Sequence, residues 1–120
     1  AEYALKELEK GDFVCVHVEA PDEAGHTGNL KDKIRAIEEF DEKVVGTILK
    51  GLERFKEFRL LVLPDHPTPI AKKTHTRDPV PFVIYPSKEN NGKAFTEADA
   101  KESGLLIEEG HRLIERLFER

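Results

Sequence analysis

Residues 13–18, Phe-Val-Cys-Val-His-Val, constrain the fold more than any other stretch of this 120-residue chain. On an extended backbone Val14, Val16 and Val18 point one way, and Phe13 and Cys15 the other. A strand apolar on both faces is covered on both faces, as strands are in the parallel sheets of α/β proteins. The predicted strand runs from Asp12 to Glu19, with His17 and Glu19 adding polarity on the Cys15 face only at its carboxyl end. Ahead of it, Ala1 to Lys10 reads as the tail of a helix closed by Gly11 in the left-handed C′ conformation. With no Met anywhere in the chain, this start suits a shortened protein; a trimmed start with nothing missing is the alternative.

A loop rich in Pro, Asp, Gly and His is expected from Ala20 to Asn29, and a long helix from Leu30 to Phe55. Leu30, Ile34, Ile37, Val44, Ile48, Leu52 and Phe55 recur mostly at spacings of three and four, the stripe of a helix that covers a sheet. Lys31, Lys33, Arg35, Glu38, Glu39 and Glu42 form its solvated face. A second apolar strand, Phe58 to Leu63, completes a βαβ unit, whose strands should be parallel. Pro67 to Pro81 is a second long loop holding four of the seven prolines, and Pro81 to Tyr85 a third short strand of undetermined direction. Thr96, with Asp99 three residues on, reads as an N-cap opening a short helix that closes near Gly104. A last helix from Glu108 to Phe118 puts Leu113, Ile114, Leu117 and Phe118 on one stripe. The expected fold is an α/β sandwich over residues 1–120: a thin, mostly parallel sheet of about three strands with covering helices.

Composition narrows the function classes. A hydrophobic share of 38% argues against disorder, and a net charge of −5 with pI ≈ 5.6 argues against the basic face that nucleic-acid binding needs. No apolar run approaches the ~20 residues of a bilayer span, and no leader opens the chain, so a cytoplasmic protein without membrane or nucleic-acid partners is expected. Cys15 is the single cysteine, which excludes an intramolecular disulfide and a cysteine-cluster zinc site, and its apolar neighbours make it a core filler. High charge, absence of Met and few Asn or Gln point to a thermophile.

Ligand-type residues gather where strands end. Asp22 and His26 follow the first strand, Asp65 and His66 the second, and His75 lies in the second long loop. In open α/β sheets the crevice beyond the carboxyl ends of strands is where ligands bind. If Pro21 starts a helical turn, Asp22 and His26 project from one face about 5–6 Å apart at Cβ, close enough to share a divalent ion. His75 is available as a third ligand, and two His with one Asp leave a coordination position open for water or a phosphate oxygen. Taken singly, each group has a plainer reading. Asp22 can be an N-cap with His26 on the surface, Asp65 a turn cap with His66 exposed, and Lys72, Lys73 and Arg77 a solvated loop. His17 reads as a hydrogen-bonded residue beneath the site or a substrate contact, and His111 as structural or exposed.

Residues 16–28 (Val-His-Val-Glu-Ala-Pro-Asp-Glu-Ala-Gly-His-Thr-Gly), 63–69 (Leu-Pro-Asp-His-Pro-Thr-Pro), Thr74-His75 and 79–82 (Pro-Val-Pro-Phe) occur in this order. The set resembles the carboxyl-terminal part of archaeal-type, 2,3-bisphosphoglycerate-independent phosphoglycerate mutases of the alkaline phosphatase superfamily, over essentially the whole chain. That resemblance implies an alkaline-phosphatase-like fold and two divalent ions, manganese or zinc. Asp22, His26 and His75 match the three ligands of one ion, and Asp65 and His66 match two ligands of the other, incomplete here. It also implies interconversion of 3-phosphoglycerate and 2-phosphoglycerate, a glycolytic step, through a phosphoserine whose serine lies outside this chain. Ser87 and Ser103 lack the strand-to-helix context of that nucleophile, so the chain alone is expected to be inactive and to bind one ion tightly. Partners on this reading are the phosphoglycerate substrate, steered by Lys72, Lys73 and Arg77, and the remaining amino-terminal part of the enzyme. The alternatives are a segment of another metal-dependent phosphatase or phosphotransferase of the superfamily, and a non-catalytic α/β interaction module.

Overall fold

The structure, a computed structural model, describes residues 1–86 and 92–119, arranged as two compact units. The first comprises Ala1–Lys56 and Pro67–Arg77, the second Glu57–His66 and Asp78–Arg120.

In the first unit α1 (Glu2–Leu8) buries Ala4 and Leu5, and Leu5 lies against Gly51 of α4 (Thr47–Leu52). Arg54 ties down the end of α1, reaching Glu9 at 2.7 Å and the Leu5 carbonyl at 3.1 Å. A cation beside exposed carbonyls is the favourable placement at a helix C-terminus. Gly11 is not left-handed, contrary to expectation: α1 ends on Glu9 in the right-handed region, and the Gly11 N–H donates back to Glu7 O at 3.0 Å.

The expected strand over Asp12 to Glu19 forms no sheet ladder among the described residues. Backbone N–H and C=O groups make a strand only when a neighbouring strand accepts them. Val14 and Val18 are half-buried, whereas Cys15 and Val16 are exposed, so the two-sided covering and the buried Cys15 are not seen either. What was expected to be a loop after it is instead the two-turn helix α2 (Ala20–Thr27), opened by Pro21 in its first turn and closed by left-handed Gly28 (φ 72°). Proline suits that position because its missing N–H has no partner in the first turn of a helix anyway.

The long helix is present but interrupted: α3 (Leu30–Glu39), a wide π-type stretch over Phe40–Gly46, then α4, ending at Leu52. Asn29 caps α3 by accepting from Asp32 N at 3.2 Å. Leu30, Ile34 and Ile37 are about half exposed, so α3 covers no sheet in this unit, and it is Lys33 that turns inward. On its surface Lys43 and Arg35 bracket Glu39 at 3.2 and 3.3 Å and hold its carboxyl below the ordinary glutamate range, Lys43 contributing most.

The second unit holds the only sheet among the described residues, β1 (Leu60–Val62) antiparallel to β2 (Val83–Tyr85), with Leu61 opposite Ile84. The α/β class stands, but the sheet has two antiparallel strands, because the residue 12–19 segment does not join a ladder to make a parallel crossover. Phe58 and Tyr85 rings lie 6.2 Å apart beside it. The N-cap at Thr96 is as expected: its hydroxyl accepts from Asp99 N at 3.2 Å and opens α5 (Glu97–Glu102), which left-handed Gly104 (φ 71°) follows. Asp99 reaches back to Ala94 N at 3.0 Å, one step outside a regular capping box. The last helix is shorter than expected, a 3₁₀ turn (Gly110–Arg112) leading into α6 (Leu113–Phe118), of which only Leu113 is buried. No helix of the described residues is long and apolar enough to cross a membrane.

Candidate metal centre

Asp22, His26 and His75 come together in the first unit. Their carboxylate and imidazole atoms are the only set of three or more ligand-type atoms gathered in this way among the described residues. The first two belong to α2, four residues apart on one face, as the helical alternative for Pro21 requires. His75 is delivered by the segment 67–77, which folds back on itself through Thr76 N donating to Pro67 O at 3.2 Å. Lys73, with a left-handed φ of 54°, makes the sharp turn just before it.

The three residues contact one another pairwise, the two imidazoles meeting different oxygens of Asp22. His26 Nε2 lies 3.3 Å from Asp22 Oδ2, His75 Nε2 lies 3.2 Å from Asp22 Oδ1, and the two Nε2 atoms are 3.2 Å apart. Neighbouring donors around a tetrahedral ion at ~2.0–2.1 Å are separated by about 3.3–3.4 Å. Each pairwise contact is therefore close to the donor spacing of such a coordination shell. Charge and tautomer agree with that spacing. His26 Nδ1 lies 3.0 Å from Lys73 O, and a carbonyl only accepts, so Nδ1 carries a proton. In the neutral ring this leaves the Nε2 lone pair aimed into the triangle, beside a carboxylate oxygen and a second imidazole nitrogen. The donor set thus fits a divalent ion, and with Asp22 about one-third exposed and both histidines around half exposed, the open side faces solvent.

Two neighbours of the triangle went unread in the sequence. Thr68 is 5% exposed and donates its hydroxyl to Asp22 Oδ1 at 2.5 Å. Lys33, expected on the solvated face of its helix, instead donates to Pro21 O at 2.6 Å and lies 3.4 Å from Thr68 O. The sequence signal for Thr68 is its place in Asp65-His66-Pro67-Thr68-Pro69, beside an aspartate and a histidine of ligand type. Lys33 gave no signal, since a lysine on a polar helix face is ordinary.

The remaining candidates are not among the three gathered ligand residues. Asp65 and His66 belong to the second unit, where Asp65 Oδ1 accepts from His66 N at 3.0 Å and Oδ2 lies 3.5 Å from His66 Nε2. Lys72, Lys73 and Arg77 are exposed, and the Lys73 stem lies over Gly28, where any Cβ would press on its Cε. Exposed His17 pairs with Glu19 at 3.8 Å, remote in role from the triangle. His111 is exposed in the 3₁₀ turn. Ser103 caps the end of α5, donating to Ala100 O at 2.6 Å and accepting from Leu105 N at 3.2 Å, and Ser87 lies outside the described residues.

Comparison with known proteins places the chain in a family. The model of the metalloenzyme superfamily matches residues 1–113. The chain is 52% identical over 120 residues to the probable 2,3-bisphosphoglycerate-independent phosphoglycerate mutase of Geobacter sulfurreducens, covering 98% of this chain and 30% of that protein. It is also 52% identical over 118 residues to the corresponding mutase of Methanothrix thermoacetophila, covering 96% of this chain and 30% of that protein. Among solved structures the PH0037 protein of Pyrococcus horikoshii superposes with a TM-score of 0.76 at 32% identity, over 84% of this chain and 31% of that one. The chain thus spans about 30% of the length of the curated relatives it matches. With a matched superfamily model over nearly its whole length and ligand contacts of metal-binding spacing, the chain belongs to the metalloenzyme superfamily.

Proposed function

We propose that this chain is the metal-binding carboxyl-terminal portion of a 2,3-bisphosphoglycerate-independent phosphoglycerate mutase. The observation that carries the reading is the triangle of Asp22, His26 and His75, with contacts of 3.2–3.3 Å and His26 oriented by the Lys73 carbonyl. The mutase names of the relatives supply the reaction: transfer of a phosphoryl group between the 3- and 2-hydroxyls of glycerate.

On this reading Asp22, His26 and His75 hold one divalent ion, and Asp65 and His66 give two ligands to another, manganese or zinc in each case. When bound, such ions supply Lewis-acid charge stabilisation and lower the pKa of a hydroxyl nucleophile. In its neutral form His26 donates from Nδ1 to Lys73 O and so presents Nε2 as the ligating nitrogen, and Asp22 contributes the compensating negative charge. Lys72, Lys73 and Arg77 form an exposed cationic run that attracts the phosphoglycerate anion. The nucleophilic serine belongs to the part of the enzyme that this chain does not match in its relatives.

A histidine ligates only as neutral imidazole, so acidification competes directly with metal. With two histidines in the set, zinc affinity is expected to fall by up to about 100-fold per pH unit once both rings titrate, with protons released on binding. Titration calorimetry in buffers of different ionisation enthalpy measures that release. Tight binding that does not change between about pH 7 and pH 5 contradicts a two-histidine site, and no tight divalent binding at neutral pH leaves the interaction-module reading.

A further inference from the structure

Asp22 has no means of its own to choose the plane of its carboxylate, because the terminal torsion of aspartate is broad and two-fold. Pairwise contacts of 3.2–3.3 Å need that plane held, since Oδ1 faces His75 and Oδ2 faces His26. The Thr68 hydroxyl donates to Oδ1 at 2.5 Å from a side chain only 5% exposed, so it is itself fixed by packing.

The backbone under both residues is braced by a third. Lys33, reaching in from α3, donates to the carbonyl of Pro21 at 2.6 Å and lies 3.4 Å from the carbonyl of Thr68. Those carbonyls sit on segments 47 positions apart in the chain, one adjoining Asp22 and the other leading towards His75. Gly25 lets the two segments meet: a Cβ there would overlap the Thr68 carbonyl and stand 2.9 Å from Thr68 Cγ2 and 3.0 Å from Lys33 Nζ. A buried hydroxyl, a half-buried ammonium and a close glycine contact thus converge where Thr68 meets α2, with the hydroxyl on the same Asp22 oxygen that His75 contacts.

We infer that Thr68 is a positioning residue for the metal centre: its hydroxyl sets the Asp22 carboxylate in the plane that completes the triangle, and Lys33 holds Thr68 and the start of α2 at the spacing this requires. The inference rests on the metal-centre reading above. Thr68 touches no reacting group and acts through Asp22. Outer partners that hydrogen-bond a ligand typically govern about 10–100-fold in metal affinity.

The test uses the 120-residue chain with Zn²⁺ for affinity and Co²⁺ for its visible spectrum, which reports coordination number and symmetry. Thr68→Val keeps the shape and loses the hydroxyl; it is expected to weaken Zn²⁺ about 10-fold or more and to alter the Co²⁺ bands. Thr68→Ser keeps the hydroxyl and loses a methyl; it is expected to restore both the affinity and the spectrum to those of the unsubstituted chain. Thermal unfolding without metal separates this from a structural effect, because packing loss follows the methyl and positioning follows the hydroxyl. Should Thr68→Val bind Zn²⁺ as tightly as the unsubstituted chain with the same Co²⁺ spectrum, the positioning role is wrong while the metal centre stands. Should Thr68→Ser lose as much affinity as Thr68→Val, the hydroxyl is not the cause and the role is likewise wrong. Should the unsubstituted chain bind neither metal, the metal-centre reading fails first and takes this inference with it.

Discussion

His75→Ala is expected to weaken the tight divalent site by about 100-fold, while His66→Ala leaves it within a few-fold of the unsubstituted chain. The magnitude follows from dividing the apparent binding free energy of structural zinc sites, about 10–16 kcal/mol over four ligands, into about 3 kcal/mol per ligand. At 1.4 kcal/mol per tenfold this is about two decades. The asymmetry follows from geometry. His75 Nε2 stands 3.2 Å from both Asp22 Oδ1 and His26 Nε2, so its removal opens one corner of the triangle. His66 is not among the gathered ligand residues, and its ring pairs with its own neighbour Asp65 at 3.5 Å. An alanine at 75 also loses little folding energy, because that side chain is half exposed. Competition titration with a chromophoric chelator measures both variants. Equal losses at the two histidines would mean that the ligands are divided differently.

The second large effect concerns turnover. The chain by itself, loaded with zinc or manganese, is expected to interconvert phosphoglycerates at no measurable rate. Removing the nucleophile from a covalent mechanism costs on the order of 10⁶-fold, and Ser103, the one serine among the described residues, is committed to closing α5. A second consequence is unequal stoichiometry. An ion held by Asp65 and His66 alone keeps most of its water, so one equivalent binds tightly and any further equivalent weakly. A coupled assay, run beside the molecular mass in solution, reads the first expectation, and the titration endpoint reads the second. Sustained turnover with Asp22 dispensable, or two equally tight sites, contradicts the account.

What the sequence made legible was local. The pairing of Asp22 with His26 depends only on helical periodicity once Pro21 starts the turn, and the Thr96 cap and Gly104 closure depend on side-chain reach over a few residues. The apolar alternation of residues 13–18 was just as clear, yet periodicity records what a strand would bury and not whether a partner strand is there to accept its hydrogen bonds. The wide helical stretch at 40–46 shows a similar limit: the apolar spacing across it reads as continuous helix, since one shifted hydrogen bond leaves the composition untouched. Thr68 and Lys33 are tertiary facts. Their roles arise only when segments 47 positions apart meet over Gly25, and nothing in either residue's immediate neighbours announces it. The convergence of His75 on Asp22 was expected from the ordered motifs and not from periodicity.

The central claim is that Asp22, His26 and His75 jointly hold one divalent ion. Anomalous diffraction at the zinc edge from crystals of the zinc-loaded chain tests it most directly. The account expects one dominant peak inside the triangle, about 2.0–2.2 Å from an Asp22 oxygen and from Nε2 of both histidines. A map with no peak there, or with its strongest peak at Asp65 and His66, would contradict it.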